Sequence, residues 1–341
     1  MSEHASPPLV SVLVPVYNGA RYLRESLDSI LAQSYPRLEL LVLDDASSDE
    51  TPEVIASYGD AVRCIRQPRT LGIYANANVG IEQARGELIA IYHADDVYLP
   101  TIVEREVEFL QRYPDAGAVF ASDIFVDAEG REYARLTLPP EVRGNRPLNY
   151  ATIVNALLTY KNTFLRCPGA MVRASVYRQL GGYRPERYRN TADLDMWLRI
   201  ARRYPIGVLE EHLFKYRHFH GSSGERYHHL RTEPARTLTI LDDHLADGAG
   251  AVATPRALAD HEAHRAEDAL MRSVSHYIRG ELPQARAILR ETEARRLVAS
   301  DRVQRGRLLA LWTGMHVLSR LPRSAAVADA LYRRWHAKGR R

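Results

Sequence analysis

Apolar residues follow two rhythms along this chain, and the rhythm changes near residue 230. Over the first 120 residues, unbroken apolar runs alternate with stretches whose apolar positions recur every three to four residues. The runs Leu9–Val14, Leu38–Leu43, Val62–Ile65, Leu88–Tyr92 and Gly117–Ala121 predict strands. Between them, Tyr22, Leu23, Leu27, Ile30 and Leu31 make one helical stripe, with Asn18 placed to cap it. Ser47 or Ser48 is expected to cap a second helix through Val54 and Ile55. Residues 73–84 read as a third helix, and Pro100 opens a fourth whose inner face is Val103, Val107 and Leu110. Strands alternating with helices over short connections predict an α/β fold on a doubly wound, mostly parallel sheet.

The middle of the chain is less regular. Asp127-Ala-Glu-Gly130 predicts a hairpin turn between 124–126 and 132–136, and 139–147 reads as loop. Gly169–Val172 is a further strand, and Ser175–Leu180 a helix stopped by Gly181-Gly182. Leu194, Trp197, Leu198 and Ala201 repeat at helical spacing, and a strand near Leu213–Tyr216 leads into a His-rich turn. Beyond residue 230 the pattern is helical throughout and rich in Ala and Arg. The expected division is therefore 1–230, an α/β part, and 231–341, a helical C-terminal region.

Composition narrows the class. The 341 residues are 45% apolar and 26% charged, as in globular proteins, and the two cysteines, Cys64 and Cys167, provide no disulfide framework. A reducing compartment fits, with both thiols as packing residues. No run approaches the roughly 20 apolar residues that span a bilayer, and the first residues lack a secretory pattern, so a cytoplasmic location is expected. The net charge of +4 hides an asymmetry: residues 301–341 carry ten Lys/Arg against Asp301 and Asp329. Leu308–Trp312, Met315, Val317, Leu318 and Leu321 lie between those arginines. Such a helix either rests on an anionic membrane surface or packs on the rest of the chain or a partner subunit in an oligomer. Three lysines in the whole chain and few tail aromatics argue against nucleic acid.

The candidate chemistry is acidic. Asp44 and Asp45 follow the strand Leu38–Leu43, Asp95 and Asp96 follow Leu88–Tyr92, and Asp193 and Asp195 open the helix a hundred residues on. Ligands of open α/β sheets bind beyond the carboxyl ends of the strands. Carboxylates gathered there repel one another unless a cation or a donor-rich ligand lies between them. Asp95 and Asp96 read either as ligands of Mg2+ or Mn2+ or as caps of the helix that follows; Asp44 and Asp45 read either as a helix start or as a carboxylate accepting from a nucleobase N–H, and Asp193 and Asp195 also suit a helix dipole. His218 and His220, two apart, suit a metal or a phosphate if the segment is extended.

In combination these segments resemble the family 2 glycosyltransferases, inverting enzymes of the GT-A fold. Val10-Ser-Val-Leu-Val-Pro-Val-Tyr-Asn18 is similar to that family's first strand and turn. Leu38 through Thr51 resembles the second segment, and Gly72 through Glu87 the third. Ile91-Tyr-His-Ala-Asp-Asp96 resembles the DxD block, Gly169–Arg173 with Leu180–Tyr183 the acceptor-side segment, and Ala192–Arg199 the ED motif. The resemblance spans roughly residues 8–223. It implies a GT-A catalytic domain over 1–230 that binds a nucleotide-diphosphate sugar with a divalent metal, Mn2+ or Mg2+. By the same resemblance, Asp45 with Asp44 beside it holds the base, Pro15 and Tyr17 line that pocket, and Asp95 and Asp96 share ribose and metal. Asp193 is the implied catalytic base and His220 the implied metal or diphosphate ligand, with His218 as substitute. The chain departs from the pattern at His93, where the DxD has its first Asp, at Ala192, where the ED pair has Glu, and at Ala77, a position often basic.

The implied reaction is sugar transfer to a saccharide or lipid-linked acceptor in cell-surface polysaccharide synthesis. Two other readings stand beside it. A sugar nucleotidyltransferase would share the sheet but needs a Gly-rich basic loop that Pro15-Val-Tyr-Asn-Gly-Ala20 does not provide. A non-catalytic nucleotide-sugar-binding or scaffold protein would account for His93 and Ala192.

Overall fold

The computed structural model describes residues 6–218, 230–297 and 302–337. The chain divides into two compact units, Met1–Phe219 and His220–Arg341.

The first unit is built on one mixed sheet. Its strands and helices follow in the order β1 (Val10–Val16), α1 (Ala20–Leu31), β2 (Leu38–Asp44), α2 (Thr51–Ala56), β3 (Arg63–Arg66), α3 (Ile73–Gln83), β4 (Leu88–Ile91), β5 (Val97–Tyr98) and α4 (Ile102–Arg112). There follow β6 (Ala118–Val126), β7 (Glu132–Arg135), β8 (Pro147–Leu148), α5 (Tyr150–Tyr160), β9 (Ala170–Arg173), α6 (Ala174–Leu180), α7 (Pro185–Tyr188), α8 (Ala192–Ala201) and β10 (Ile206–Arg217). The sheet order is β3-β2-β1-β4-β9-β6-β10-β5, with β7 on β6 and β8 on β10. From β3 to β4 the pairing is parallel, but β9 lies antiparallel to both β4 and β6. The parallel half is the doubly wound part that the strand–helix alternation predicts. The reversal at β9 follows the hairpin and α5, where that alternation lapses.

β1 is buried along its whole length, so its apolar run has no polar face. Val10, Val12 and Val14 share one cluster with Leu23, Leu27 and Ile30 of α1. On the other side, a Cβ at Gly80 would come within 2.5 Å of the Leu43 side chain, so glycine lets α3 approach the sheet.

Several local expectations change. Asn18 does not cap α1: it adopts a positive φ of 49°, and Gly19 takes the cap position. Nor do the serines cap α2, which starts after Glu50. The second turn serves α1 instead, since Ser47 Oγ accepts from Asn18 N, Thr51 Oγ1 from Gly19 N and Asp49 Oδ2 from Ala20 N. Helix-start amides need acceptors, and here a neighbouring strand's turn provides them. The loop read over 139–147 runs into β8, and α5 behind it is capped by Asn149 on Thr152 N.

The second unit holds α9 (Arg236–Ala246), α10 (Pro255–Arg279), α11 (Leu282–Glu291), α12 (Ala294–Leu297), α13 (Arg302–Leu318) and α14 (Ala325–Ala337). Leu270 and Tyr277 of α10 meet Leu289, Leu308, Met315 and Ala328 in its core. Leu311, Trp312 and Leu318 pack against that core, and Trp312 Nε1 donates to Thr292 O. Most of the apolar stretch in α13 is therefore used within its own unit, leaving Val317 and Leu321 exposed. Among the described residues no helix is long and apolar enough to cross a membrane.

Candidate active site

Sheet register brings the first two acidic turns together. Val16 pairs with Asp44 and Leu13 with Ile91, so the turns after β1, β2 and β4 leave the same edge of the sheet. Asp45 N donates to Val16 O, and Asn18 Oδ1 accepts from Ser48 N, which stitches the first two turns together.

The paired aspartates do different things. Asp44 is fully buried; its Oδ1 accepts from Ser47 N, and its Oδ2 lies 3.5 Å from Arg66 Nε. It shapes the turn from inside the fold. Asp45 Oδ1 and Oδ2 accept from Leu71 N and Gly72 N at 2.7 and 2.9 Å. Each oxygen keeps a second lone pair for one more donor. Pro15 is buried in β1, while Tyr17 is 54% exposed, so of these two only Tyr17 reaches the surface.

After β4, the ring nitrogens of His93 and the carboxylates of Asp95 and Asp96 supply atoms within 4.8 Å of one another. Asp96 is buried; its Oδ1 accepts from Arg217 N, while Oδ2 and His93 Nε2 meet no partner among the described residues. Unpaired buried polar atoms are costly, and a hard or borderline cation would satisfy both at once. Burial, with Asp95 beside it, pushes the Asp96 carboxyl well above the usual carboxylate range. Burial also lowers the His93 imidazole, which favours the neutral ring with a free lone pair. The donor set fits a divalent metal, and it includes the histidine that departs from the DxD pattern. The turn is held rigidly: Tyr98 OH accepts from His93 N, and Ser26 Oγ donates to His93 O.

Arg217, which the sequence reading passed over, locks this corner. Besides its amide bond to Asp96, its Nε donates to Asp95 O, its Nη2 to Glu25 Oε2 and its Nη1 to Ala128 O, with the guanidinium over the Tyr22 ring. Its neighbour His218 is exposed and pairs by its amide with Val126 O; His220 lies outside the described residues.

Asp193 sits in the first turn of α8, half-buried. Burial raises its carboxyl to about 6; the neighbouring Leu194 N and Tyr74 hydroxyl, and the charge of Arg166, act the other way. Tyr74 comes from the first turn of α3 and is itself buried. Asp195 is buried and paired at 2.9 Å with Arg199, whose guanidinium also donates to Leu180 O and Gly182 O. It braces α8 against the glycine turn. Ala192 and Ala77 are fully buried, and neither brings the charged group of the family pattern to the site. Trp197 and Tyr183 are core residues, stacked edge to face. Asp123, in the middle of β6, is one charge inside an apolar run, and that was the available sequence signal for this side of the site.

The glycosyl transferase family 2 model matches residues 11–181. An uncharacterised glycosyltransferase of Rickettsia felis is 33% identical over 221 residues, which is 64% of this chain and 35% of that protein. The chain thus spans about a third of that relative's length. EpsE of Bacillus subtilis is 35% identical over 219 residues, 62% of this chain and 74% of EpsE. S. aureus TarS 1-349 in complex with UDP superposes with a TM-score of 0.59 at 17% identity, covering 96% of this chain and 91% of that one. Mannosyltransferase PcManGT from Pyrobaculum calidifontis, in complex with GDP-Man and Mn2+, gives 0.53 at 18% identity, covering 97% and 88%. Likeness at that identity establishes the fold, GT-A, and the family model adds the lineage. The chain belongs to glycosyltransferase family 2.

Proposed function

We propose that this protein moves a sugar from a nucleotide-diphosphate donor to an acceptor hydroxyl with inversion at the anomeric carbon. The observation that carries the reading is Asp193: a carboxyl raised to about 6, ionised at neutral pH yet more basic than an ordinary aspartate. A general base works best with its pKa near the working pH, and such assistance contributes on the order of 10²–10⁴-fold. Asp193 takes the acceptor proton as the hydroxyl attacks, and Tyr74 holds the carboxylate in place. Asp45 and Tyr17 would receive the nucleobase at the sheet edge. His93, Asp95 and Asp96, with His220 as a further candidate, would hold a divalent cation. When bound, that ion supplies charge neutralisation for the diphosphate leaving group. A single displacement needs only one protein base, unlike glycoside hydrolysis with its two carboxyl groups.

That TarS and PcManGT were crystallised with UDP and with GDP-Man and Mn2+ supports a nucleotide donor and a metal here. We assign the acceptor to the saccharide or lipid-linked class of cell-surface polysaccharide synthesis. Peripheral membrane contact through residues 301–341 draws support from the basic tail and from Val317 and Leu321 beside Arg320 and Arg323. The test is release of nucleoside diphosphate from a donor panel, with and without Mn2+, for the native protein and Asp193→Asn. Donor binding without release from any donor or acceptor would favour a binding protein instead.

A further inference from the structure

Arg166 is the cation of this site that the reading above leaves without a task. It precedes Cys167, whose thiol lies against the Tyr74 and Tyr183 hydroxyls close to Asp193. Its guanidinium lies over the Tyr216 ring at 4.9 Å and the Phe125 ring at 5.1 Å. Tyr216 is the residue before Arg217, whose amide holds Asp96. The Arg166 charge thus acts on Asp193, and Arg166 shares Tyr216 with Asp95 and Asp96.

The surroundings show what it lacks. Its Nε is 2.9 Å from Asp123 Oδ2, and its terminal nitrogens meet no hydrogen-bond partner among the described residues. Asp123 is fully buried; burial raises its carboxyl while the Arg166 charge acts the other way. Two aromatic faces fix the plane of a guanidinium that is still 24% exposed. Four carboxylates, Asp95, Asp96, Asp123 and Asp193, act on this region. Of the guanidiniums that act on Asp96 and Asp193, Arg217 is committed through all its nitrogens. Ala77, buried, contributes no charge where a phosphate contact is common in the family pattern. An incoming diphosphate needs positive charge from elsewhere, and planar guanidinium is suited to phosphate oxygens.

We propose that Arg166, preset by Asp123, Phe125 and Tyr216, binds the terminal phosphate of the donor's diphosphate and stabilises it as it leaves. The step balances simply. The bond between the anomeric carbon and the terminal phosphate oxygen breaks as the acceptor oxygen bonds to that carbon. The electron pair stays on the phosphate oxygen facing Arg166, and the acceptor proton goes to Asp193. This inference rests on the proposed function.

The test is calorimetric titration of the full-length protein in MnCl2 with UDP, GDP, CDP, ADP and dTDP, and with the monophosphate of whichever binds. Arg166→Gln, combined with Asp123→Asn so that no carboxylate is left unpaired, is expected to weaken the diphosphate about tenfold or more. Monophosphate affinity should stay within about twofold of the native value. Arg166→Lys, which keeps the charge, should fall between and carries the comparison if the double variant does not fold. Unchanged diphosphate affinity in the variants would overturn the proposal, as would equal losses for diphosphate and monophosphate. A higher KM for the acceptor with normal diphosphate binding would also overturn it and move Arg166 to the acceptor. A native protein that binds none of the five diphosphates would instead refute the proposed function itself.

Discussion

Replacing Tyr74 with Phe removes one hydroxyl and keeps the ring that packs 4.8 Å from Tyr183. That hydroxyl lies beside Asp193 and favours its ionised form. Hydrogen bonds to charged groups are worth roughly 1.5–3 kcal/mol. At about 1.4 kcal/mol per pKa unit, the loss should raise the carboxyl by about one to two units above its value of about 6. At pH 7 the ionised fraction then falls from roughly nine-tenths to between about a half and a tenth. The measurement is kcat/KM against pH from 5 to 9.5. The acid limb, at about 6 in the native protein, should move upward, with a two- to tenfold loss at pH 7 that recovers in alkaline buffer. A limb that stays in place while the rate drops equally at every pH would show that Tyr74 does not tune Asp193.

Asp193→Asn should bind nucleoside diphosphate normally and lose about 10²-fold or more in turnover. The raised carboxyl also affects stability. The folded state holds the proton more tightly than the unfolded chain, so stability is present below pH 4 and declines as pH rises to about 6. Asp193→Asn should therefore melt above the native protein at pH 7 and level with it at pH 4; the same difference at both would contradict that linkage. His93→Ala should weaken Mn2+, read by electron paramagnetic resonance, by at least the roughly tenfold that loss of even a supporting residue costs; native affinity would remove His93 from the ligand set. Gly207→Ala would place a Cβ 2.2 Å from the buried Phe109 ring and should cost about 1–3 kcal/mol in denaturant unfolding. Val317→Asp with Leu321→Asp should abolish co-sedimentation with anionic liposomes, and equal binding would end the membrane idea.

The parallel half of the sheet was legible because each strand is a buried run closed by a turn, and parallel pairing buries both faces. Asp95, Asp96 and Asp193 were legible because carboxylates follow such runs or open an apolar helix. What sequence could not show is where each carboxylate points. Asp44 and Asp45 are adjacent, yet one is turned inward and the other ties down Leu71 and Gly72. His93 reads in sequence as a departure from the motif, and only the structure sets its ring beside Asp95 and Asp96. Arg166, Arg217 and Tyr74 act across the sheet, and no local spacing records such contacts. The helical stripe of α13 left two destinations open, and its packing on α10 and α11 occupies most of it.

One arginine joins parts of the chain up to 192 positions apart: the Arg217 guanidinium bonds Glu25, Asp95 O and the loop after β6, and its backbone amide bonds Asp96. The family match stops at residue 181, well before it. A fragment cut there would retain His93, Asp95 and Asp96 in its sequence but lose the strut that sets their spacing. The smallest piece expected to keep the proposed metal site in shape thus reaches past residue 217, and deletion series should be designed around that position.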